Sequence, residues 1–163
     1  MNHLPSDGFA SNQLQMMGLL AAMAIVPFAV MMLTSFSKIV VVLSIVRSAL
    51  GTQQAPPTMV LTGLAAVLTC TVMTPVFEKM WARGQAEYAA GREASELLSQ
   101  STLVLQPLRD FLVKHGSDEE RARFVDMARE LRPPEESELV SAQDMSVVVP
   151  AFVITELKEA FII

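Results

Sequence analysis

Two stretches without a formal charge govern what this chain can fold into. From Leu14 to Leu33 it reads LQMMGLLAAMAIVPFAVMML, twenty residues with no Asp, Glu, Lys or Arg. A helix of that length covers ~30 Å, about the hydrocarbon thickness of a bilayer. From Ser48 to Phe77 there are thirty more uncharged residues, and within them Met59–Phe77 is a second span candidate of nineteen. Between the two, Ile39–Val46 is charge-free for only eight residues, too short to cross by itself. A cleaved signal peptide would need a basic start. Residues 1–13 offer only Asp7 and His3.

Composition narrows the classes further. Apolar residues make up 52% of the 163 and charged residues 18%, which excludes an intrinsically disordered chain. Cys70 is the one cysteine, so there is no disulfide scaffold, and it is read as a small buried apolar residue. A net charge of −5 without a basic patch speaks against nucleic acid. What remains is a membrane protein or a very hydrophobic subunit of an assembly.

The charges that do occur are sorted along the chain. Segment 34–58 holds Lys38 and Arg47 and no acid, whereas 78–146 holds nine basic and fourteen acidic residues, net −5. Lys and Arg resist translocation, so the basic connection belongs on the cytoplasmic side. The N-terminus, residues 1–13, and the acidic stretch then both lie outside, which in a bacterium is the periplasm.

The expected fold is an all-α membrane protein. A hydrophobic helical hairpin occupies 14–77, with helices at about 14–50 and 58–77 and a kink at Pro27. Gly51 stops the first arm, and Pro56 and Pro57 forbid its continuation. Thr58, Thr62, Ala65, Ala66 and Thr69 share one face of the second arm. That face would let helices approach closely in lipid; equally, each Thr could bond its own backbone at i−4. Residues 78–146 read as a small helical module. Glu87–Gln100 is rich in helix formers, and Leu105, Leu108, Phe111 and Leu112 follow helical spacing up to Gly116. Ser117 or Asp118 caps the next helix, with Asp118, Glu119 and Glu120 at its positive end. Phe124, Ala128 and Leu131 form its apolar stripe, and Pro133-Pro134 ends it. A last hydrophobic helix starts near Asp144 or Met145 and occupies 147–163.

The search for chemistry is short. His3 and His115 have no partner at ligand spacing, and the glycines form neither a dinucleotide fingerprint nor a P-loop. Acidic pairs such as Glu119-Glu120 and Glu135-Glu136 read as solvated faces. No enzyme, cofactor or metal is expected. Lys38 and Arg47 bracket an otherwise apolar helix. They either snorkel to the cytoplasmic edge or pair with acids of a neighbouring subunit. Glu156 and Lys158 lie two residues apart in the apolar last helix and project from different sides, so they cannot mainly satisfy each other. The expectation is that they pair between copies, or with Lys38 or Arg47; the alternative is a water-facing helix end.

Three segments carry a family resemblance. Thr34–Ser44 (TSFSKIVVVLS), Ala49–Pro57 (ALGTQQAPP) and Pro150–Phe161 (PAFVITELKEAF) occur in that order. They resemble the hallmarks of the FliP/SctR (YscR/HrcR) family, the type III secretion export-gate proteins of flagella and injectisomes. On this resemblance Ser35, Phe36, Lys38, Gly51, Gln53, Gln54, Pro56 and Pro57 are the family signature. The short N-terminus without a leader, the acidic loop and its PPEES stretch favour the injectisome branch. The resemblance implies a multi-pass protein of the bacterial inner membrane that is not an enzyme. It implies a homo-oligomer joined by SctS/FliQ-like and SctT/FliR-like membrane proteins and a SctU/FlhB-like switch protein, with unfolded secreted proteins passing through. The chain departs from the family by stopping at Ile163, before the hydrophobic hairpin whose methionine-rich loop is thought to seal the pore. The pairs Met16-Met17 and Met31-Met32 do not match that loop. Two rivals belong to other classes. One is a two-span sensor whose module 78–146 binds a ligand, although no convergent polar cluster is evident there. The other is a small-molecule transporter subunit, which would need ionisable groups in mid-membrane.

Overall fold

The structure, a computed structural model, describes residues 7–51, 55–89 and 101–162. Every regular element among them is a helix. In chain order these are α1 (Asp7–Met32), α2 (Phe36–Ala49), α3 (Thr58–Ala89), α4 (Ser101–Val104), α5 (Gln106–His115), α6 (Asp118–Glu130), α7 (Pro134–Ser137) and α8 (Met145–Ile162). The fold class read from the sequence, an all-α membrane protein, therefore holds, with α3 long and apolar enough to cross a membrane.

The bend in the first hydrophobic arm lies later than its proline. Helix α1 continues through Pro27, and the break falls at 33–35, where Met16–Met32 and Phe36–Ala49 meet at 57°. A local reason is Thr34. Its hydroxyl donates to the Val30 carbonyl at 2.7 Å and accepts from the Phe36 N–H at 3.4 Å, so one side chain ends α1 and starts α2. Gly51 closes α2 with φ +71°, a conformation that only glycine adopts without strain. The second arm is also longer than expected. Helix α3 passes Phe77 and the internal Pro75 and continues to Ala89, so the hydrophobic hairpin and the acidic module share one helix. The stretch 90–100 lies outside the described residues, as do Gln53 and Gln54.

Helix α3 turns one stripe inward: Leu61, Ala65, Thr69 and Met73, each one i+4 step from the last. Of the small-residue face, only Ala65 and Thr69 are buried, and the Thr69 hydroxyl bonds the Ala65 carbonyl at 2.7 Å. Thr58, Thr62 and Ala66 are exposed. Cys70, expected to be buried, is one residue off the inward stripe and lies exposed.

The central post is α8, which packs against α2, α5 and α6. Met73 from α3, Phe111 and Leu112 from α5, and Val148 and Phe152 from α8 form the main core. The Phe111 and Phe152 rings tilt together with centroids 5.7 Å apart. A second cluster joins Val125, Val140 and Val147, with Phe124 and Ala128 packed against it. Leu131 does not belong to that stripe: it is 79% exposed, because α6 ends at Glu130 and Leu131 is already its cap residue. The α5–α6 corner is tight. Gly116 takes the position where a Cβ would stand 2.9 Å from the Leu112 carbonyl oxygen. Ser117 caps α6 by accepting from the Glu119 N–H, while its own N–H donates to Thr155 Oγ1 on α8 at 2.9 Å.

Apolar surface is left over. Helix α1 exposes Met16, Met17, Leu19, Leu20, Met23, Ile25, Val26 and Phe28, on all its sides. Helix α3 also exposes Met59, Val60, Leu64, Val67 and Val72, which lie off its buried stripe. Surface of this kind needs lipid or protein over it.

Candidate functional site

The charges of the last helix are all engaged, and on two different sides. Glu156 is 3% exposed, and its Oε1 accepts from Lys38 Nζ at 3.2 Å. Lys38 also pairs with Glu159, one turn further along α8 and half-exposed. These contacts tie α8 to the start of α2, at the bend. On the other side, Lys158 pairs with Glu120 of α6, which Arg123 Nη1 also approaches at 3.5 Å. The sequence argument that Glu156 and Lys158 project apart agrees with these partners. Helix α8 is thus pinned by opposite charges between α2 and α6.

A buried carboxylate such as Glu156 is tolerable in an apolar setting only when a cation completes it. Lys38 does so from one end of α2, and Arg47 stands near the other end. Arg47 reaches Thr58 Oγ1 at 3.1 Å, across the turn that joins α2 to α3. The structure therefore brings Lys38, Glu156 and Glu159 together and keeps Arg47 apart from them. Within the described residues of the signature, Ser35, Phe36 and Lys38 occupy the bend, and Gly51, Pro56 and Pro57 occupy the turn before α3. The hydroxyls of Ser35 and Ser37 are buried without a hydrogen-bond partner among the described residues.

Glu120 was not legible as a partner. It reads as one of three solvated acids at the start of α6, yet it is buried at 5% exposure. The signal was present, since Glu120, Phe124 and Ala128 fall at i, i+4 and i+8 on the inward face. The Lys158 ammonium, hydrogen-bonded to the Glu120 carboxylate, holds that carboxyl below its ordinary range against the opposing effect of burial. Its neighbours do behave as surface acids. Glu119 pairs with Arg123 at 2.6 Å, both well exposed, and Asp118 pairs with Arg121. Arg121 has a second use: its Nη1 donates to the Val113 and Gly116 carbonyls at 2.6 and 3.0 Å, satisfying the end of α5.

Among the described residues no group of three or more His, Cys, Asp or Glu side chains is placed to hold a metal ion. The geometry is that of a helix packer with charged fasteners.

Comparison with known proteins gives the same direction. The sequence model of the FliP family matches residues 19–163. A hypersensitivity response secretion protein, HrcR of Ralstonia nicotianae, is 41% identical over 142 residues, covering 86% of this chain and 65% of that protein. A pathogenicity-related protein of Xanthomonas campestris pv. glycines is 39% identical, covering 85% of this chain and 64% of its own. The flagellar biosynthetic protein FliP of Pectobacterium carotovorum is 35% identical over 97% of this chain and 59% of its own. The chain thus spans less than two thirds of the length of these relatives. Proteins of this group are structural parts of secretion apparatus and not enzymes. The match across nearly the whole chain, with higher identity to HrcR and to the pathogenicity-related protein than to this flagellar relative, shows that the chain belongs to the FliP family, in its FliP/SctR injectisome branch.

Proposed function

We propose that this chain is a core subunit of a type III secretion export gate in the bacterial inner membrane. With further copies of itself and with SctS/FliQ-like and SctT/FliR-like proteins, it builds the pore through which unfolded proteins leave the cytoplasm. A SctU/FlhB-like switch protein would meet the assembly from the cytoplasmic side. The observation that carries the reading is the family match over residues 19–163, together with the apolar surface of α1 and α3. A single copy leaves that surface uncovered; a bilayer and neighbouring subunits would cover it. In this reading the acidic module 78–146 is periplasmic, and Arg47 is the cation left for an acid of a neighbouring subunit.

The test has two arms in the native host. Alkaline phosphatase fused after Arg109 should be active and the same fusion at Gln53 inactive; the reverse pattern overturns the topology. An affinity-tagged full-length protein should co-purify with SctS- and SctT-like proteins, and its deletion should abolish type III export while general secretion continues. Normal type III export in the deletion strain overturns the function.

A further inference from the structure

A notch of about 560 Å³ opens on the upper part of α3, lined by Trp81, Gly84, Gln85 and Tyr88 among the described residues. The four fall at i, i+3, i+4 and i+7, so they share one helix face. Trp81 is 70% exposed and Tyr88 75%, and a Cβ built on Gly84 would meet nothing within 4 Å. A glycine inside a helix costs about 1 kcal/mol against alanine, and among the described residues nothing uses the space this one leaves. Glu78 lies three residues before Trp81, one turn lower on the same face, exposed and without an ion pair among the described residues. The notch is thus a gap between two aromatic rings with an uncompensated carboxylate at its lower end.

A second exposed feature of the same chain has the complementary chemistry. Leu131 is 79% exposed at the end of α6, and Pro133 and Pro134 follow, both exposed. Pro133 has φ −56° and ψ 151°, close to polyproline II. Arg132, between them, makes no ion pair among the described residues. Polyproline II segments dock on aromatic-lined grooves because their conformation is already fixed and little entropy is lost. Within one copy the corner and the notch do not meet, since Trp81, Tyr88 and Leu131 are all left open. Lipid does not fill the notch either. On an upright α3, Tyr88 stands eleven residues, ~16 Å, past the end of the charge-free run at Phe77, and a headgroup layer is only ~5–8 Å deep.

We propose that the 131–134 corner of a second copy docks in this notch, its Leu131 and Pro133 against Trp81, Gly84 and Tyr88 and its Arg132 toward Glu78. The proposal deepens, and rests on, the reading that the chain assembles with further copies of itself. Notch and corner are different patches, so the contact is head-to-tail, and repeated it closes a ring or winds a helix. Tryptophan, tyrosine and arginine are the residues that most often dominate interfaces. The two aromatic side chains bury about 150–250 Å² each, so this contact alone falls short of the roughly 1,200 Å² of a stable interface. It sets the register between copies, and the apolar surface of α1 and α3 supplies the remaining area.

The experiment is disulfide trapping between two differently tagged full-length copies in host membranes, both carrying Cys70→Ser because Cys70 is exposed. One copy carries Gln85→Cys and the other Pro133→Cys. Oxidation should give a covalent dimer with both tags, and Glu119→Cys in place of Pro133→Cys, at the far end of α6, should not. Gly84→Leu has room for its Cβ and favours a helix, so the melting temperature should hold or rise, yet it fills the notch and should cut trapping at least about tenfold. Glu78→Arg in the first copy should also cut trapping, and Arg132→Glu in the second should restore it. Trapping that ignores both Gly84→Leu and Glu78→Arg overturns the proposal. No trapped dimer while the tagged copies still co-purify overturns it too, and leaves the assembly reading standing. Tagged copies that do not co-purify overturn both. A chain carrying both cysteines that links only within itself, as a monomer-sized band, places the corner on its own notch and refutes the contact between copies.

Discussion

Removing Lys38 should strand a carboxylate inside the protein. The Lys38 side chain is 29% exposed and that of Glu156 only 3%, with 3.2 Å between the charged atoms. Exposed pairs contribute at most about 1 kcal/mol, whereas breaking a fully buried pair costs about 3–5 kcal/mol. With one partner buried and the other partly wet, Lys38→Met should cost roughly 3 kcal/mol. For a chain of this length that lowers the melting temperature by about 6–12 °C. Glu159→Gln removes only the half-exposed arm and should cost less than about 1 kcal/mol. The double variant Lys38→Met, Glu156→Leu should recover most of the loss, since no uncompensated charge remains. Far-UV circular dichroism melts of the purified chain in detergent give the ranking. If Lys38→Met melts within about 1 °C of the parent, Glu156 is solvated and the fastener is not one. If the double variant melts lower than the single, the pair is worth more than apolar packing and the desolvation argument fails.

The other fastener titrates. Because the Glu120 carboxyl is held below its ordinary range, its contribution is present above the ordinary carboxylate range and is lost as pH falls through the lowered value. Melting temperature should therefore drop on acidification in the parent, and Lys158→Met should make that drop smaller; an unchanged acid profile in Lys158→Met refutes the pairing. In α6, Phe124→Asp should disrupt the module, since it puts a charge against Val125, Val140 and Val147. Leu131→Asp should be nearly silent at 79% exposure, within about 0.5 kcal/mol. Equal damage from the two substitutions, read by protease resistance of the full chain, would show that the register of the stripe is wrong.

How far the sequence could be read depended on whether a signal was local. The caps and stops were local. Ser117 before three acids, Gly116 behind an apolar run and Pro133 after α6 each act on their own helix, and each is where the sequence placed it. The opposite projection of Glu156 and Lys158 also followed from helix geometry alone. The partners did not, because Lys38 lies 118 residues before Glu156, and Glu120 lies 38 before Lys158. Nothing local distinguishes Glu120 from Glu119 except its alignment with Phe124 and Ala128. The break between α1 and α2 was not legible either: Pro27 stays inside α1, and the break falls at Thr34, whose hydroxyl supplies a competing bond on both sides of it. Cys70 and Leu131 show the same limit in packing. Each is apolar, yet Cys70 sits one residue off the inward stripe of α3, and Leu131 lies just past the end of α6.

Helix α3 is a continuous rod of 32 residues, about 48 Å long. Its upper end is fastened: Arg83 Nη1 donates to the Leu103 carbonyl at 3.2 Å and to Gln106 Oε1 at 2.9 Å. Such a rod works as a lever. A rotation of 10° about its Thr58 end carries the Ala89 end sideways by about 8 Å, larger than the diameter of a water molecule by a factor of about three. The same rotation moves Met73, halfway along, by about half as much, and Met73 is fully buried against Phe111 and Phe152. Tilting the hydrophobic arm and repacking the module are consequently coupled through one helix, with Pro75 the one place between Thr58 and Ala89 where a ladder hydrogen bond is missing.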